Sequence, residues 1–342
     1  MRKSILSLCI LFSVCSYAQE TTKFTAGKHN EYGLLYSLPQ TVFDIEVTAT
    51  KTTQKAGPYY KYAEKYLGVP VSITEDKVFW NLDKVNVTSH GIPDKGQEYL
   101  VKFKSGSAPF MYLNKDGLLL SINTEPITES IKAKTLTPAK TPSPLENNNY
   151  ASVLTEEMLM SGSTAKMAEV AAKQIYRIRE SRLDLSTGES DQKPADGAAL
   201  KLMMQQLDEQ ESTLMAMFMG TTKTEQVVKH FTWTPTDETA NEIIFRISDL
   251  IGIVDKNNLS GAPVYMNLKI TEKGEYPVDA KGNIKEMPKN GVAYCIPGKA
   301  AVEITYKGKP VFKNSFQVAQ FGIVYGLDPN LFDNKKAPKL VI

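Results

Sequence analysis

Two helical patterns follow one another in the middle of the chain. Over residues 164–185 apolar positions recur every three or four residues, and the same spacing returns over 198–219. This spacing places one apolar stripe along each of two amphipathic helices. The connection between them, 186–197, is rich in Gly, Ser, Asp and Pro, which is typical of a solvated turn. The pattern predicts an antiparallel helical hairpin whose stripes bury each other.

Capping residues and charges support this hairpin and suggest a register for it. Ser163 or Thr164 can cap the first helix, because a short polar side chain accepts hydrogen bonds from free backbone N–H groups. Basic residues outnumber acidic ones in the first arm, and the reverse holds in the second. If the chain folds back near Asp191, Lys173 faces Glu209, and such complementary charges favour an antiparallel pairing.

Both helices carry apolar side chains beyond those that a two-helix seam requires. The candidate interaction residues among them are Tyr176, Leu202, Met204, Met215 and Phe218. A large apolar surface of this kind indicates that something covers it. The cover is either the chain's own β regions or a partner, and the sequence leaves both alternatives open. A partner would be another protein or a component of the cell envelope.

Before and after the hairpin, polarity alternates with a period of two. The clearest run is 42–49, and a turn sequence at 114–117 is typical of a β-hairpin. Other β patterns cover 71–88, 97–104, 109–113, 117–123, 227–233, 242–248, 264–270, 292–296, 300–306 and 311–319. The sequence therefore predicts an α+β protein with two antiparallel β-rich, sandwich-like domains and an α-helical hairpin between them.

Changes in composition mark the boundaries between these segments. The predicted segments are a signal peptide at 1–18, an N-terminal β domain with one short helix at 19–123, a Pro/Thr/Lys-rich linker at 124–150, the helical hairpin at 151–220, a C-terminal β domain at 221–328 and a polar tail at 329–342. Within the first β domain, the polar residues 19–33 are expected to form a flexible lead-in. The proline-rich linker is expected to be extended.

The short helix predicted at 58–67 carries a cluster of tyrosines. Tyr59, Tyr60 and Tyr62 are a candidate ligand platform, because a tyrosine has an apolar ring that stacks on sugars and a hydroxyl that forms hydrogen bonds. The alternative is that these rings pack the helix against the sheet.

The start of the chain predicts export to the periplasm or cell envelope. Positive residues 2–3 precede an apolar run at 5–14 and a small-x-small cleavage site at 16–18. Cleavage is expected before Gln19. Lipidation at Cys15 is disfavoured, because the residue before it is bulky where a small one is expected. No apolar run reaches the length of a transmembrane helix, so the sequence predicts no transmembrane segment.

Composition and motifs limit the chemistry that the chain offers. The 342 residues include 40 basic and 38 acidic ones, a balance that gives no electrostatic basis for binding nucleic acid. His29, His90 and His230 are far apart in the sequence. None has a metal-ligand spacing with Cys295, which is expected to be buried in a strand. No hydrolase, nucleotide-binding or calcium-binding motif is present. The sequence predicts no catalytic, metal or cofactor-binding residues and no cofactor.

Several segments, in their order and spacing, resemble an exported-protein family of Bacteroidota that is described only as a domain of unknown function. The segments are Tyr36-Ser37-Leu38-Pro39, Ala56-Gly57-Pro58-Tyr59, Tyr62-Ala63-Glu64-Lys65-Tyr66-Leu67-Gly68, Ile178-Arg179-Glu180-Ser181-Arg182, Ile296-Pro297-Gly298-Lys299-Ala300 and Val318-Ala319-Gln320-Phe321-Gly322. The resemblance implies an envelope setting. It implies no activity and no site residues.

These observations favour a non-enzymatic exported envelope protein that binds another protein or an envelope component. The alternative is a protein that binds a carbohydrate or small ligand through its tyrosine-rich face. An uncharacterised hydrolase is a third hypothesis, so the sequence leans against an enzyme without deciding the question. The oligomeric state is not indicated by any pattern in the sequence.

Overall fold

Long antiparallel strands build most of the protein. The computed structural model describes residues 19–23, 33–103, 111–122, 125–126, 150–189, 196–288, 291–327 and 340–341. The strands are β1 (Gln19–Lys23), β2 (Leu34–Lys55), β3 (Lys77–Phe103), β4 (Met111–Leu113), β5 (Leu119–Ile122), β6 (Thr221–Trp233), β7 (Thr239–Ser248), β8 (Gly252–Asp255), β9 (Ala262–Glu272), β10 (Val292–Tyr306), β11 (Lys309–Leu327) and β12 (Leu340–Val341). The helices are α1 (Ala63–Leu67), α2 (Glu156–Met160), α3 (Thr164–Thr187) and α4 (Gly197–Met219), with 3₁₀ turns at Tyr60–Tyr62 and Tyr150–Ser152. The predicted α+β class, with antiparallel sheets and a pair of long helices, is confirmed.

The described strands form three sheets. The first sheet has the order β1-β3-β2-β6, the second β11-β10-β9-β7-β8 and the third β12-β5-β4. Although β6 follows the hairpin in sequence, it pairs with β2 from Phe43↔Trp233 to Lys55↔Thr221. Segments from both sides of the hairpin therefore share the first sheet.

The first and second sheets pack against each other over a shared hydrophobic core, which we name the sandwich core. Phe43, Ile45 and Val47 of β2 are fully buried, in agreement with their period-two spacing. The second sheet contributes, among others, Phe245, Ile247, Val264, Met266, Leu268, Ala300, Val302 and Ile304. Burial of each large apolar side chain stabilises the fold by about 1.5–3 kcal/mol. This core joins the β regions that precede and follow the hairpin.

A smaller core lies near the start of β2. Tyr36 packs there with Leu119 and Ile122 of the third sheet and with Val292 of β10. The Tyr36 hydroxyl donates a hydrogen bond to the backbone oxygen of Ala293 at 2.9 Å. Burial raises the pKa of this phenol, because the charged form would lose its hydration. All three sheets therefore converge at this end of β2.

The segment that begins at residue 19 differs from the sequence prediction. Residues 19–23 were expected in a flexible lead-in, but they form β1 and pair with Tyr99–Phe103 of β3. An edge strand is held by backbone hydrogen bonds, which polar residues also make. The segment can therefore form a strand without apolar alternation. The predicted signal peptide at 1–18 lies outside the described residues, as do most of the linker at 124–150 and the tail at 329–342.

The two long helices begin and end close to the positions predicted from their caps. The Ser163 side chain accepts a hydrogen bond from the N–H of Lys166, and Asp196 accepts one from the N–H of Ala199. Gly188 ends α3 in the left-handed conformation, with φ of 79°. In the described part of the chain, no helix is both long enough and apolar enough to cross a membrane.

Candidate interaction surface and ligand cavity

The helical hairpin has a packed base and a more exposed outer part. We define the hairpin base as residues 164–178 of α3 and 214–219 of α4, which together contain all the buried side chains of the two helices. The distal hairpin consists of residues 179–187 and 197–213, where no described side chain is buried. The base forms one hydrophobic cluster with α1, α2 and the segments that precede those helices. Short helical segments, rather than sheet faces, therefore cover the base.

The end of α4 is anchored to the segment that precedes α1. The N–H of Tyr59 donates a hydrogen bond to the backbone oxygen of Met217 at 2.8 Å. The Tyr59 ring also contacts the Phe218 ring, with 5.5 Å between centroids. A Cβ atom at Gly57 would collide with the backbone of α4 at Met217. The sequence places glycine there because only glycine permits this close backbone approach.

An ion-pair network links the two helices where the distal hairpin begins. Arg179 Nε donates to Glu211 Oε1 at 2.7 Å, and Arg182 Nη2 lies 2.9 Å from Asp208 Oδ1 and also pairs with Glu211. Partial burial raises the pKa of the Glu211 carboxyl, but hydrogen bonds and the charges of the two arginines outweigh it, so the net shift is downward. Glu211 is therefore held ionised between two cations.

The register of the hairpin differs from the one that charge complementarity suggested. Lys173 was expected to face Glu209, but it pairs with Glu169 of its own helix at 2.8 Å. Arg179 and Arg182, rather than Lys173, lie opposite the acidic residues of α4. The connection at 190–195 is outside the described residues, and its composition did not determine where the chain reverses.

The predicted interaction residues separate into accessible and buried ones. Tyr176 is 48% exposed and Leu202 is 56% exposed. Met204 and Met215 are half-buried. Phe218 is fully buried against α1 and its preceding segment. It therefore belongs to the core of the hairpin base and contributes nothing to an exposed interaction surface.

The accessible residues include one that the sequence analysis missed. Leu183 is 60% exposed on the distal hairpin. It lies off the buried stripe, and this offset is the signal that would have identified it. Tyr176 is less free than its exposure suggests, because its hydroxyl donates to the backbone oxygen of Tyr66 at 3.0 Å. The guanidinium of Arg179 also lies 5.8 Å from the centre of its ring.

The three platform tyrosines do not form an open stacking surface. Tyr59 is buried against the hairpin base, while Tyr60 and Tyr62 are half-buried. The Tyr62 ring stacks on Tyr66, with 6.1 Å between centroids. Lys61 lies 5.7 Å from the centre of the Tyr60 ring. Packing is the main role of Tyr59, and the two remaining rings have side-chain neighbours of their own.

A cavity of about 370 Å³ lies where the three sheets meet, and we name it the junction cavity. It is lined by Pro39, Thr41, Ser89, His90, Gly91, Asn114, Leu118, Leu119, Leu120, Cys295, Pro297, Gln317 and Ala319. These residues come from β2, β3, β10, β11 and the β4–β5 hairpin. Among the described residues, the lining combines neutral polar groups with aliphatic side chains and contains no Asp, Glu, Lys or Arg.

The reactive residue types at the junction cavity do not form a catalytic set. His90 Nδ1 lies 2.8 Å from Asp44 Oδ2. Ser89 is the neighbour of His90 on β3, and adjacent strand residues point to opposite faces, so these two side chains cannot act as nucleophile and base. Burial raises the pKa of the Cys295 thiol to about 11, which keeps it protonated at neutral pH.

A second cavity, of about 390 Å³, lies between α2 and α3. It is lined by Thr155, Glu157, Val170, Lys173, Gln174 and Arg177. Its charged groups have both signs, and Lys173 is already paired within α3. Across the residues that the structure describes, no group of three or more His, Cys, Asp or Glu side chains has an arrangement that would hold a metal ion.

Comparison with known proteins gives a family but no activity. No curated protein and no solved structure matches the chain. A family model described as a domain of unknown function (DUF4831) matches residues 32–342. The match includes every described strand except β1, together with the hairpin and the junction cavity. The chain therefore belongs to the DUF4831 family of domains of unknown function.

Proposed function

We propose that the protein is a non-enzymatic, exported binding protein of the cell envelope, and that its distal hairpin binds another envelope protein. The observation that carries this proposal is the contrast within the hairpin. Its base is held by a dedicated hydrophobic cluster, while its distal part has no buried side chain among the described residues. A protein that used the helices only to complete its own core would bury both parts.

The side chains of the distal hairpin suit a protein partner. Leu183 and Leu202 provide exposed aliphatic groups. The network of Arg179, Arg182 and Glu211 links the two helices. A pre-organised helical surface loses little conformational entropy on binding, which favours affinity. Apolar residues beside fixed charges are also typical of protein interfaces.

Export is the second component of the proposal. It rests on the positive residues, apolar run and small-x-small site within residues 1–18. Amino-terminal sequencing of the protein isolated from cell envelopes tests it. We expect the mature chain to begin at Gln19. A chain that retains residues 1–18, or that is found only in the cytoplasm, would contradict export.

The partner proposal is tested by site-specific photo-cross-linking in intact cells. A photoreactive amino acid replaces Leu183 or Leu202 in two separate variants, and Gln226, an exposed residue of β6, in a control variant. We expect the two hairpin variants to give the same protein adduct after illumination, identified by mass spectrometry. The Gln226 variant is expected to give none.

A second variant separates binding from folding. Leu202→Glu is combined with the photoreactive residue at position 183, and its thermal unfolding is measured alongside. Because Leu202 is exposed, the melting temperature should not change, while the adduct should be lost. The proposal is wrong if no adduct forms at either hairpin position, or if the control position gives the same adducts.

A further inference from the structure

We infer that the junction cavity binds a small, uncharged ligand of the sugar class, that is, a ring carrying several hydroxyl groups. This inference does not depend on the function proposed for the hairpin. It rests on three features of the cavity: walls that are held by hydrogen bonds, a described lining without Asp, Glu, Lys or Arg, and a combination of neutral polar and aliphatic side chains.

Hydrogen bonds between β2 and β11 fix the walls of the cavity. Thr41 Oγ1 accepts from the N–H of Ala319 at 2.9 Å. The Gln320 side chain accepts from the N–H of Thr41 at 3.0 Å and donates to its backbone oxygen at 2.8 Å. Thr41 is buried, so these bonds are protected from water. A cavity with walls held in this way is pre-formed, as ligand sites usually are.

The lining excludes a charged ligand. The part of the lining that the structure describes has no carboxylate, lysine or arginine, and the Cys295 thiol is neutral because burial raises its pKa. A charged group that entered the cavity would lose hydration without gaining a partner of opposite charge, which is costly. His90 is the remaining ionisable residue of the lining, and its Nδ1 is already bonded to Asp44. The ligand is therefore uncharged.

Polar groups at the cavity match the hydroxyl groups of a sugar. Asn114 Oδ1 accepts from the N–H groups of Asp116 and Leu118, each at 2.9 Å, which leaves the Asn114 NH₂ group available as a donor. Ser89 and Gln317 are exposed at the mouth, and neither has a side-chain hydrogen bond to another described residue. Side chains that offer both donors and acceptors can bind several hydroxyl groups at once.

The aliphatic part of the lining and the volume of the cavity suit a sugar ring. The lining includes the buried Leu118 and Leu119 and also Pro39 and Pro297. Aliphatic surface of this kind contacts the C–H face of a ring. The cavity volume of about 370 Å³ is at the small end of the range of about 300–1,000 Å³ for ligand sites. This size favours one or two rings over a larger molecule.

Titration calorimetry and saturation-transfer NMR on the full mature chain test the inference. The ligands are glucose, galactose, mannose and N-acetylglucosamine with their methyl glycosides, and the charged analogues glucuronate and glucosamine. We expect at least one neutral sugar to bind in a one-to-one complex at millimolar or lower concentration. The charged analogue should bind at least about tenfold more weakly, because its charge has no partner.

Variants locate the binding at the junction cavity. Gln317→Leu removes the hydrogen-bonding groups of an exposed side chain, and we expect it to weaken binding by about fivefold, the effect of one net hydrogen bond. Ser89→Phe places a ring at the mouth and should abolish binding. Gln226→Leu makes the same chemical change as Gln317→Leu on an exposed strand outside the cavity, and should leave the affinity unchanged.

The source of the sugar is decided by comparing a monosaccharide with a short oligosaccharide of the same unit. Equal or tighter binding of the oligosaccharide identifies the end of a glycan chain, whereas loss of binding identifies a free sugar. The inference is overturned if no neutral sugar binds at millimolar concentration, or if binding survives Ser89→Phe. It is also overturned if neutral capped dipeptides bind and the sugars do not.

Discussion

Replacing Phe218 by alanine removes a fully buried ring from the hairpin base. The ring contacts Tyr59, with 5.5 Å between centroids, and lies in the cluster that joins α4 to α1 and α3. Truncation of a buried phenylalanine costs about 3–5 kcal/mol, because the lost transfer free energy adds to the cost of the cavity. We expect Phe218→Ala to lower the free energy of unfolding of the hairpin region by this amount. Leu202→Ala, at an exposed position of the same helix, should change it by less than about 0.5 kcal/mol.

Urea unfolding followed with two probes measures this cost. Helical circular dichroism reports on the hairpin, while fluorescence of Trp80 and Trp233 reports on the sandwich core against which both rings pack. Because the hairpin base and the sandwich core are separate clusters, Phe218→Ala should shift the helical transition more than the fluorescence transition. A cost below about 1 kcal/mol, or one equal to that of Leu202→Ala, would refute the assignment of Phe218 to the core.

Three other predictions follow from the described contacts. Gly57→Ala should lower the melting temperature because its Cβ would meet the backbone of α4, while Gly197→Ala, with open space around it, should not; equal melting temperatures would contradict the close packing. The neighbours of Glu211 lower its pKa below 4.5, so its ion pairs stabilise the folded state above that pH. This stabilisation is lost as the pH falls through the folded-state pKa. The urea midpoints of wild type and Glu211→Gln should therefore differ at neutral pH and converge in acid. The pKa of Cys295 is about 11, against an ordinary 9.0, so its alkylation at pH 8 should be slower than that of a free thiol by about a hundredfold. A rate near that of a free thiol, measured by mass spectrometry, would contradict this prediction.

The helices were predictable because their signals are local. Ser163 and Asp196 cap the helices whose starts they mark, and Gly188 ends α3 in the left-handed conformation that glycine favours. The helix register was not predictable in the same way. It depends on where the chain reverses, and several registers satisfy a basic helix beside an acidic one. Charge patterning alone therefore indicated that the two helices pair with each other, but not which residues lie opposite one another.

Long-range pairing was beyond the reach of the sequence patterns. The alternation at 42–49 indicated a half-buried strand, and β2 includes that strand. Nothing in the alternation indicated that β2 pairs with β6, which lies on the other side of the hairpin. Edge strand β1 was missed for a related reason, since its backbone pairing with β3 requires no apolar residues. Period-two patterns identify buried faces, whereas strand order depends on the tertiary structure.

The candidate sites also differ in whether their residues are close together in the sequence or are brought together by the fold. Leu202 was identified from its position off the helical stripe, which is a local property. The junction cavity was not identified, because its lining comes from five parts of the chain and includes no recognisable motif. Thr41 and Gln317 are unremarkable in sequence, and only the convergence of the three sheets brings them to one cavity. A site assembled in this way becomes visible only once the strand order is known.

The junction cavity and the hairpin base lie towards opposite ends of β2. Thr41 lines the junction cavity, and Lys55 ends the strand just before Gly57 contacts the hairpin base. An extended strand rises about 3.3 Å per residue, so Thr41 and Lys55 are separated by roughly 45 Å along β2. Coupling over that distance would require a rearrangement of the packed sandwich core between them. We therefore expect Leu202→Glu to leave sugar binding unchanged and Ser89→Phe to leave hairpin cross-linking unchanged, so each variant is the control for the other site.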